Sequence, residues 1–504
     1  MALTAEKTKI VGSLAPASMA DACDAAPLAN GLEVVEVRLD ALREPPDFRA
    51  LRSAFRGRTL LVTLRSAAEG GAFTGDAAAA RALLGEALGA GADLVDVEFR
   101  SGANAGLLGL PAEKVIVSVH DLEGLPPDVA RLASRMAATG ARFVKIVGTA
   151  NDSSDAVRLL EEQAARGASN VSLFAMGEAG MPTRVLAPYL GAPLMFASLR
   201  PGSATAPGQI PARDLADVYG VGRERRASRL VALFGSRVSH SLSPALHNAR
   251  FEALGDETLY VPFALRSLSE ELPALLAGLA RLGLPLAGAS VTIPFKEEAG
   301  AFAGEDAPVN TLLFGEGSAP RAANTDQIAL DELIPQGGAT AGGRPTALVL
   351  GAGGTAGTAV EVLRRKGFEV VVSARDAEKG ASLAATAGVS FLSWKHVASV
   401  LPSILVNATP LGLDEGDALP CDASLLRPGL LVVDAPYRAG GTALAREARA
   451  AGATVFDGFA LLLAQAAGQA ALFTGRATAP SDLLAALPER FRSLFRPDPR
   501  EVAR

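Results

Sequence analysis

Apolar residues recur in short runs along roughly the first two hundred positions, and the runs have the length of strands rather than helices. The pattern predicts strands at 9–14, 32–40, 59–66, 93–99, 114–121, 143–149, 171–178 and 194–200. Between them, 76–89, 127–140 and 155–166 carry helical spacing and end on or beside a glycine, as helix stops do. Strands alternating with helices over this length predict a (β/α)8 TIM barrel. Polar residues interrupt the runs at one place in particular. Glu36, Arg38, Arg65, His120, Lys145 and the Met176–Gly177 pair fall at or just before strand C-terminal ends, the rim on which such barrels carry chemistry.

The pattern changes at 213–229, a polar, Arg-rich stretch that reads as a join. A second α/β system follows, with strands expected at 230–235, 259–262 and 289–293 and a Gly/Thr-rich break at 337–344. After the break come a strand at 346–350, a glycine loop, a helix running through Arg365, and a strand at 368–374. The final stretch, 479–504, is polar and helical in places, and the pattern assigns it no chemistry.

Length and composition narrow the possibilities. A chain of 504 residues exceeds what one core organises, so two or three domains are expected. A net charge of −6 argues against a general nucleic-acid surface. No apolar run approaches membrane-spanning length, and residues 1–9 are charged with no secretory apolar core, so a cytoplasmic location without membrane attachment is expected. Cys23 and Cys421 lie far apart and read as buried, reduced thiols. The only histidines are His120, His240, His247 and His396, so no metal site is expected.

Lys145 lies in the apolar run Phe143-Val144-Lys145-Ile146-Val147, where alternation places Phe143, Lys145 and Val147 on one face. Inside a barrel an ammonium loses hydration, which favours the neutral amine, a nucleophile toward a ketone. Taken alone, the strand is better explained by a lysine that snorkels or pairs with a carboxylate. His120 ends the neighbouring run, and a histidine side chain suits proton transfer near neutrality. One strand apart in a barrel, the two point to covalent and acid–base chemistry together.

Six segments then carry a resemblance. They are Glu36-Val37-Arg38-Leu39-Asp40; Thr63-Leu64-Arg65-Ser66 with Glu69-Gly70-Gly71; Ser118-Val119-His120-Asp121; Val144-Lys145-Ile146; Met176-Gly177 with Arg184; and Ala206-Pro207-Gly208-Gln209-Ile210. In this order, over nearly all of 6–222, the chain resembles the type I 3-dehydroquinate dehydratases. The resemblance implies that Lys145 forms a Schiff base with the substrate ketone and that His120 moves protons at the α-carbon and the leaving hydroxyl. It implies that Glu69 orients and charges His120, and that Arg184 holds the substrate carboxylate. Glu36, Arg38, Arg65, Thr205 and Gln209 would serve the ring hydroxyls and their network. Thr205 stands where many members carry serine and keeps the hydroxyl.

In the second half, Gly351-Ala352-Gly353-Gly354-Thr355-Ala356-Gly357 follows the apolar run 347–350 and opens a helix, a context suited to a dinucleotide pyrophosphate. After the next strand stand Arg375 and Lys379, cations suited to the 2′-phosphate of NADP, while Asp376 between them would suit NAD. NADP is the expected cofactor.

The half as a whole resembles shikimate dehydrogenase. The carrying segments are Ser239-His240-Ser241-Leu242-Ser243-Pro244 with His247-Asn248, Val291-Thr292-Ile293-Pro294-Phe295-Lys296, Val309-Asn310-Thr311, Asn324-Thr325-Asp326, Asn407-Ala408-Thr409-Pro410-Leu411-Gly412, Tyr437 and Leu463-Ala464-Gln465. The resemblance implies a two-lobed α/β dehydrogenase with a Rossmann-type NADP-binding lobe. It implies Ser241 and Ser243 on the substrate carboxylate, Thr292, Asn310 and Gln465 on ring hydroxyls, and Lys296 with Asp326 as the catalytic pair. Gly351, Gly353, Gly354, Arg375, Lys379, Thr409, Tyr437 and Gly458 would line the cofactor cleft. His240 and His247 would cap or pack.

Together the resemblances imply 1–225 as a dehydratase and 226–504 as a dehydrogenase, with 230–330 plus 459–478 as its substrate lobe and 331–458 as its cofactor lobe. Their joint activity would be dehydration of 3-dehydroquinate followed by NADPH-dependent reduction of 3-dehydroshikimate to shikimate, with these small molecules as the partners. Ser290 replaces a common asparagine and Gln327 a common glycine, which leaves a quinate or quinate/shikimate dehydrogenase as the alternative for the second half.

Overall fold

The computed structural model of the chain describes residues 2–99, 107–315, 319–337 and 344–495. Most of the Gly/Thr-rich break expected at 337–344, and the tail beyond 495, lie outside the described residues. Two compact units emerge, Met1–Pro244 with Leu254–Ala289, and Ala245–Ala253 with Ser290–Arg504.

The first unit holds eight parallel strands: β1 (Lys9–Leu14), β2 (Val34–Arg38), β3 (Thr59–Thr63), β4 (Leu94–Glu98), β5 (Val115–His120), β6 (Phe143–Thr149), β7 (Val171–Met176) and β8 (Leu194–Ser198). They pair in the order β7-β6-β5-β4-β3-β2-β1-β8. All eight match runs expected from the sequence. At the seam between β7 and β8, the Leu194 N–H donates to Ser172 Oγ at 3.2 Å.

Helices at Met19–Asp24, Phe48–Ala54, Ala77–Gly89, Val129–Ala137, Ser153–Arg166, Met181–Tyr189 and Ala212–Asp217 follow the strands, each after β1–β3 and β5–β8 in turn. After β4 the described residues hold only the 3-10 turns Leu107–Gly109 and Ala112–Lys114. One set of alternate strand residues, including Val35, Val62, Val95, Val117, Val144 and Leu173, joins the apolar core. The other set is polar. Ser13, Glu36, Thr63, Asp96, Ser118, Lys145 and Ser172 are all buried, and register sets Thr63 beside Asp96 and Lys145 between Ser118 and Ser172. Period-two alternation thus builds a polar interior from strands whose outer faces are apolar.

The first unit continues with a parallel pair, β9 (Arg229–Gly235) and β10 (Thr258–Ala264). The division between units falls within β11 (Leu286–Val291). The sequence placed this strand at 289–293. It starts earlier, at Leu286, and ends at Val291, where the chain turns, Phe295 N–H closing on Thr292 O at 3.0 Å.

In the second unit, the helix Lys296–Phe302 precedes the antiparallel pair β12 (Thr311–Leu313) and β13 (Arg321–Ala323), and the helix Thr325–Leu333 follows. A six-stranded parallel sheet comes next: β14 (Thr346–Leu350), β15 (Glu369–Ser373), β16 (Ser390–Phe391), β17 (Ile404–Asn407), β18 (Leu431–Asp434) and β19 (Thr454–Phe456). Its order, β16-β15-β14-β17-β18-β19, reverses direction between β14 and β17. That is the doubly wound topology, whose ligand crevice opens at the C-terminal ends of the two strands flanking the reversal.

Candidate active sites

Inside the barrel, Lys145 Nζ is 2.7 Å from Asp96 Oδ2 and 3.9 Å from Glu36 Oε1. The ammonium lies 4.1 Å from the centre of the Phe196 ring, a cation–π arrangement. Asp96 Oδ1 accepts from Arg65 Nη2 at 2.9 Å and from Ser118 Oγ at 2.6 Å. Arg65 Nη1 also reaches Glu69 Oε2 at 3.2 Å and Glu98 Oε1 at 2.9 Å. Glu36 Oε1 accepts from Thr63 Oγ1 at 2.7 Å. Burial of so many charges is tolerable only because each faces an opposite charge.

His120 touches this network through Glu69, whose Oε2 is 2.9 Å from both the His120 backbone nitrogen and Nδ1. Burial raises the Glu69 carboxyl to about 7, against the opposing pull of the Arg65 charge and with reinforcement from Glu98 and Asp96. His120 moves the other way, well below its ordinary value, through burial and the positive charges of Arg65, Lys145, Arg38 and Arg184. For Asp96, burial is outweighed by Arg65 and Lys145, and its carboxyl drops to about 2.

Arg184 is fully buried on the helix Met181–Tyr189, 5.0 Å over the Phe174 ring. One nitrogen donates to Phe196 O at 3.3 Å, while Nε and Nη2 have no hydrogen-bond partner among the described residues. Burial lowers this guanidinium to about 10. Arg38 forms a fork with Asp40 at 2.7 and 2.8 Å, and Asp40 in turn accepts the backbone N–H groups of Arg65 and Ala72. Thr205 N–H and Oγ1 both contact Gln209 Oε1, at 2.7 and 3.1 Å. This loop is pressed onto Gly177, whose N–H donates to Pro207 O at 3.3 Å.

Also in the first unit, Ser243 N–H donates to Ser241 Oγ at 3.2 Å, and Ser239 Oγ donates to Glu178 Oε1 at 2.7 Å. His240 is exposed.

In the second unit, Lys296 and Asp326 form a direct ion pair. A Cβ placed on Gly354 would lie 3.5 Å from Lys296 Cδ, so the pair rests against the first turn of the helix Gly354–Arg365. Asn310 Oδ1 accepts from Thr325 N–H at 2.8 Å and from Thr311 Oγ1 at 2.9 Å, and its Nδ2 donates to Gln465 Oε1 at 3.4 Å. Ser290 Oγ donates to the buried Gln469 at 2.9 Å. Gln469 also reaches His247, which packs between Phe251 and Phe473 and is held down at about 4, mainly by burial. Thr292 is half-buried in the turn after β11.

At the sheet's switch point Gly351 adopts φ +116°, and any Cβ there would come within 2.7 Å of Ala408 O. Only glycine fits between β14 and the loop after β17, which leaves a cradle of the kind a pyrophosphate needs. Gly353 caps the helix that Gly354 begins. Arg375 and Lys379 are exposed just beyond β15, free of the sheet. Asp376 is the N-cap of the helix Ala377–Ala387, accepting from Lys379 N–H at 3.1 Å. Thr409 is tied to Asn407 Oδ1 at 2.6 Å, and Tyr437 lies 5.5 Å from the Phe459 ring. Gly458 opens the next helix, with the carbonyl oxygens of Ala435 and Pro436 where a side chain would go. The donor set therefore fits an anionic dinucleotide. Among the described residues, no group of three or more His, Cys, Asp or Glu could hold a metal ion, and no helix is long and apolar enough to cross a membrane.

Comparison with known proteins finds matches to both halves of the chain. The type I 3-dehydroquinase family matches residues 11–225, and the shikimate dehydrogenase substrate-binding domain matches 233–308. The bifunctional 3-dehydroquinate dehydratase/shikimate dehydrogenase of Arabidopsis thaliana is 31% identical over 486 residues, covering 90% of this chain and 79% of that protein. The chain belongs to this bifunctional family.

A shikimate dehydrogenase (NADP(+)) of Halorubrum lacusprofundi is 37% identical over 269 residues, 50% of this chain and 95% of that protein. Among solved structures, the dehydroquinate dehydratase and shikimate dehydrogenase from S. pombe AroM is 22% identical, covering 95% of this chain and 98% of that one with a TM-score of 0.39.

In the dehydratase half of this family member, the structure brings Lys145, Glu36, Arg65, Glu69 and His120 into one network. Asp96, Glu98 and Ser118 belong to it too and were not singled out from the sequence. Their signal is the alternation Leu94-Val95-Asp96-Val97-Glu98, which turns two carboxylates to the face opposite the valines. Two expectations need correction. Glu69 contacts His120 as an orienting group would, but burial and four nearby cations oppose the charge it was expected to confer on the ring. Cys23 and Cys421 are free thiols, as expected, but half-buried rather than buried.

Proposed function

We propose that this chain converts 3-dehydroquinate to 3-dehydroshikimate in the barrel and reduces that product to shikimate with NADPH in its second half. One observation carries the reading: a single chain holds a buried Lys145–Glu69–His120 network and a Lys296–Asp326 pair against the first turn of a glycine-loop helix. The domain limits are 1–225 for the dehydratase and 226–504 for the dehydrogenase, with 230–330 plus 459–478 as substrate lobe and 331–458 as cofactor lobe.

In the dehydratase, the Lys145 amine adds to the ring ketone and water leaves, giving a protonated imine. The imine draws electrons from the adjacent carbon, and neutral His120 takes the proton released there. The leaving hydroxyl departs as water with a proton returned by His120, and hydrolysis of the imine regenerates Lys145. Asp96, 2.7 Å from Nζ and held ionised by Arg65 and Lys145, fixes the amine beside the ketone. The two unpartnered nitrogens of Arg184 suit a substrate carboxylate, which would supply the acceptors they lack. Glu36, Arg38, Arg65, Thr205 and Gln209 shape the ring pocket around it.

In the dehydrogenase, bound NADPH supplies the hydride. Lys296 stabilises the oxygen anion that develops on the ketone and delivers its proton, while Asp326 fixes the ammonium. Ser241 and Ser243 take the carboxylate, and Thr292, Asn310 and Gln465 take the hydroxyls. Ser290 donates its hydroxyl proton to Gln469, which leaves only its lone pairs for a ring hydroxyl. Gly351, Gly353, Gly354, Thr409, Tyr437 and Gly458 line the cofactor cleft, and Arg375 with Lys379 selects the 2′-phosphate. The half-buried free thiols fit a reducing cytoplasm as the place of work.

Two substitutions separate the activities. Lys145→Ala removes dehydration and borohydride trapping of substrate while sparing reduction, and Asp326→Asn does the converse. Dehydratase activity surviving in Lys145→Ala, or unchanged reduction in Asp326→Asn, contradicts the assignments.

A further inference from the structure

The helix Gly458–Thr474 carries Gln465 and Gln469 toward Asn310, yet it is apolar nearly all round, with Leu461, Leu462, Leu463, Ala466, Ala467, Ala470 and Phe473 buried. Such a helix must be covered on several sides. The helix Thr325–Leu333 covers one of them, where Gly468 allows Thr325 to approach. The segment after it covers another.

The chain reverses at Gly475, the helix's left-handed C-cap, and enters the helix Pro480–Ala486, whose Leu483 is fully buried, as is Leu487 behind it. Arg250 pins the start of this return. Its guanidinium lies 3.3 Å from Asp482 Oδ2 and 3.4 Å from Thr478 Oγ1. Pro488 then breaks the helix, and Arg492 folds the remainder back by donating to Leu487 O at 2.8 Å and Ala485 O at 3.2 Å. The return ends at Phe495, whose ring is edge-on to Phe459, centroids 5.1 Å apart. Phe459 lies in the first turn of the covered helix and contacts Tyr437 in turn. Behind Tyr437 the chain is jammed against Gly458, where Pro436 O lies 2.4 Å from the position of a Cβ.

We propose that residues 480–495 form a splint that fixes the helix Gly458–Thr474, and that Phe495, through Phe459, is a positioning residue for Tyr437 at the cofactor cleft. The inference rests on the reading of Tyr437 as a cofactor-cleft residue. The splint works by contact alone. Phe495 touches neither substrate nor the reacting atoms, and its effect is to restrict where the Tyr437 ring can lie when NADPH binds. A loss of one edge-to-face aromatic contact corresponds to about a threefold to tenfold weakening of whatever that contact holds in place.

The test is steady-state reduction of 3-dehydroshikimate by the full chain and by Phe495→Ala, Phe495→Tyr and Tyr437→Ala. The expected result for Phe495→Ala is a KM for NADPH raised about threefold to tenfold with kcat changed less than about twofold, and return toward the parent value in Phe495→Tyr. Dehydratase turnover, which depends on the barrel, serves as the measure of folded protein and stays unchanged. A general loss of folded enzyme would lower kcat and leave KM alone. An unaltered KM in Phe495→Ala alongside a raised KM in Tyr437→Ala overturns the splint and leaves the cofactor reading standing. An unaltered KM in Tyr437→Ala overturns both.

Discussion

Glu69 Oε2 engages one residue twice, lying 2.9 Å from the backbone nitrogen of His120 and 2.9 Å from its Nδ1. An ionised carboxylate can only accept, so it fixes the ring with Nδ1–H toward Glu69 and leaves the Nε2 lone pair for substrate. Burial sets the Glu69 carboxyl at about 7, so this arrangement switches on near neutrality.

Dehydratase kcat/KM is therefore expected to fall as pH drops below about 7, following protonation of Glu69. In Glu69→Gln that limb should vanish and the plateau should drop about a hundredfold. The sign for stability is opposite. A carboxyl whose folded-state pKa is raised favours the folded state at low pH, and that contribution is lost as pH rises through about 7. Glu69→Gln should therefore be no less stable than the parent above pH 7 in urea unfolding. A marked loss there would mean that Glu69 is structural.

Asp96 behaves in the reverse sense. Arg65 and Lys145 depress its carboxyl to about 2, so its contribution is present above the ordinary carboxylate range and lost only as pH falls toward that value. Asp96→Asn leaves two buried cations short of a counter-charge and should cost about 3–5 kcal/mol by chemical denaturation at pH 7. It should also depress dehydration, while dehydrogenase turnover of the folded fraction is retained.

The cofactor preference is expected to reside in Arg375 and Lys379 rather than in Asp376. Arg375→Ala should raise the KM for NADPH about tenfold or more and leave that for NADH little changed. Asp376→Ser keeps the helix cap and should keep the preference, whereas Asp376→Ala should cost about 1 kcal/mol of stability with the preference still for NADPH. A swing toward NADPH on removing the carboxylate would show that Asp376 faces the ribose.

Gln327, an expected source of altered substrate choice, is hydrogen-bonded to the helix Gly354–Arg365. It donates to Glu361 at 3.0 Å, between the rungs Asn324–Thr358 at 3.1 Å and Asp331–Arg365 at 3.0 Å. The three pairs share one offset and hold the Asp326 helix in parallel register with the cofactor helix. Gln327→Gly should cost about 1 kcal/mol of stability as a helical glycine and leave the ratio of shikimate to quinate turnover unchanged. A shifted ratio would place Gln327 at the substrate after all.

The legible parts of this protein were those with a local signal. The eight barrel strands follow from apolar runs, and Lys145, His120, Lys296 and Asp326 from residues embedded in distinctive segments. The alternation marks Asp96 only as inward-facing; its meaning comes from β6, two strands away, and only register brings Lys145 Nζ to its side chain. The bounds of β11 are not legible in the pattern because the alternation in Leu286-Ala287-Gly288-Ala289-Ser290-Val291 is weak, and the strand is ended by a turn, not by a change of pattern. Asp376 was ambiguous for a similar reason. Capping is a matter of backbone geometry, and the same residue beside a strand end could serve a helix or a ribose.

The most direct measurement is a single incubation of the purified chain with 3-dehydroquinate and NADPH, with nucleotide oxidation followed and the product identified. Stoichiometric oxidation of NADPH with shikimate as the product is the predicted result. Accumulation of 3-dehydroshikimate with NADPH intact, or persistence of 3-dehydroquinate, would contradict the account of two working sites on one chain.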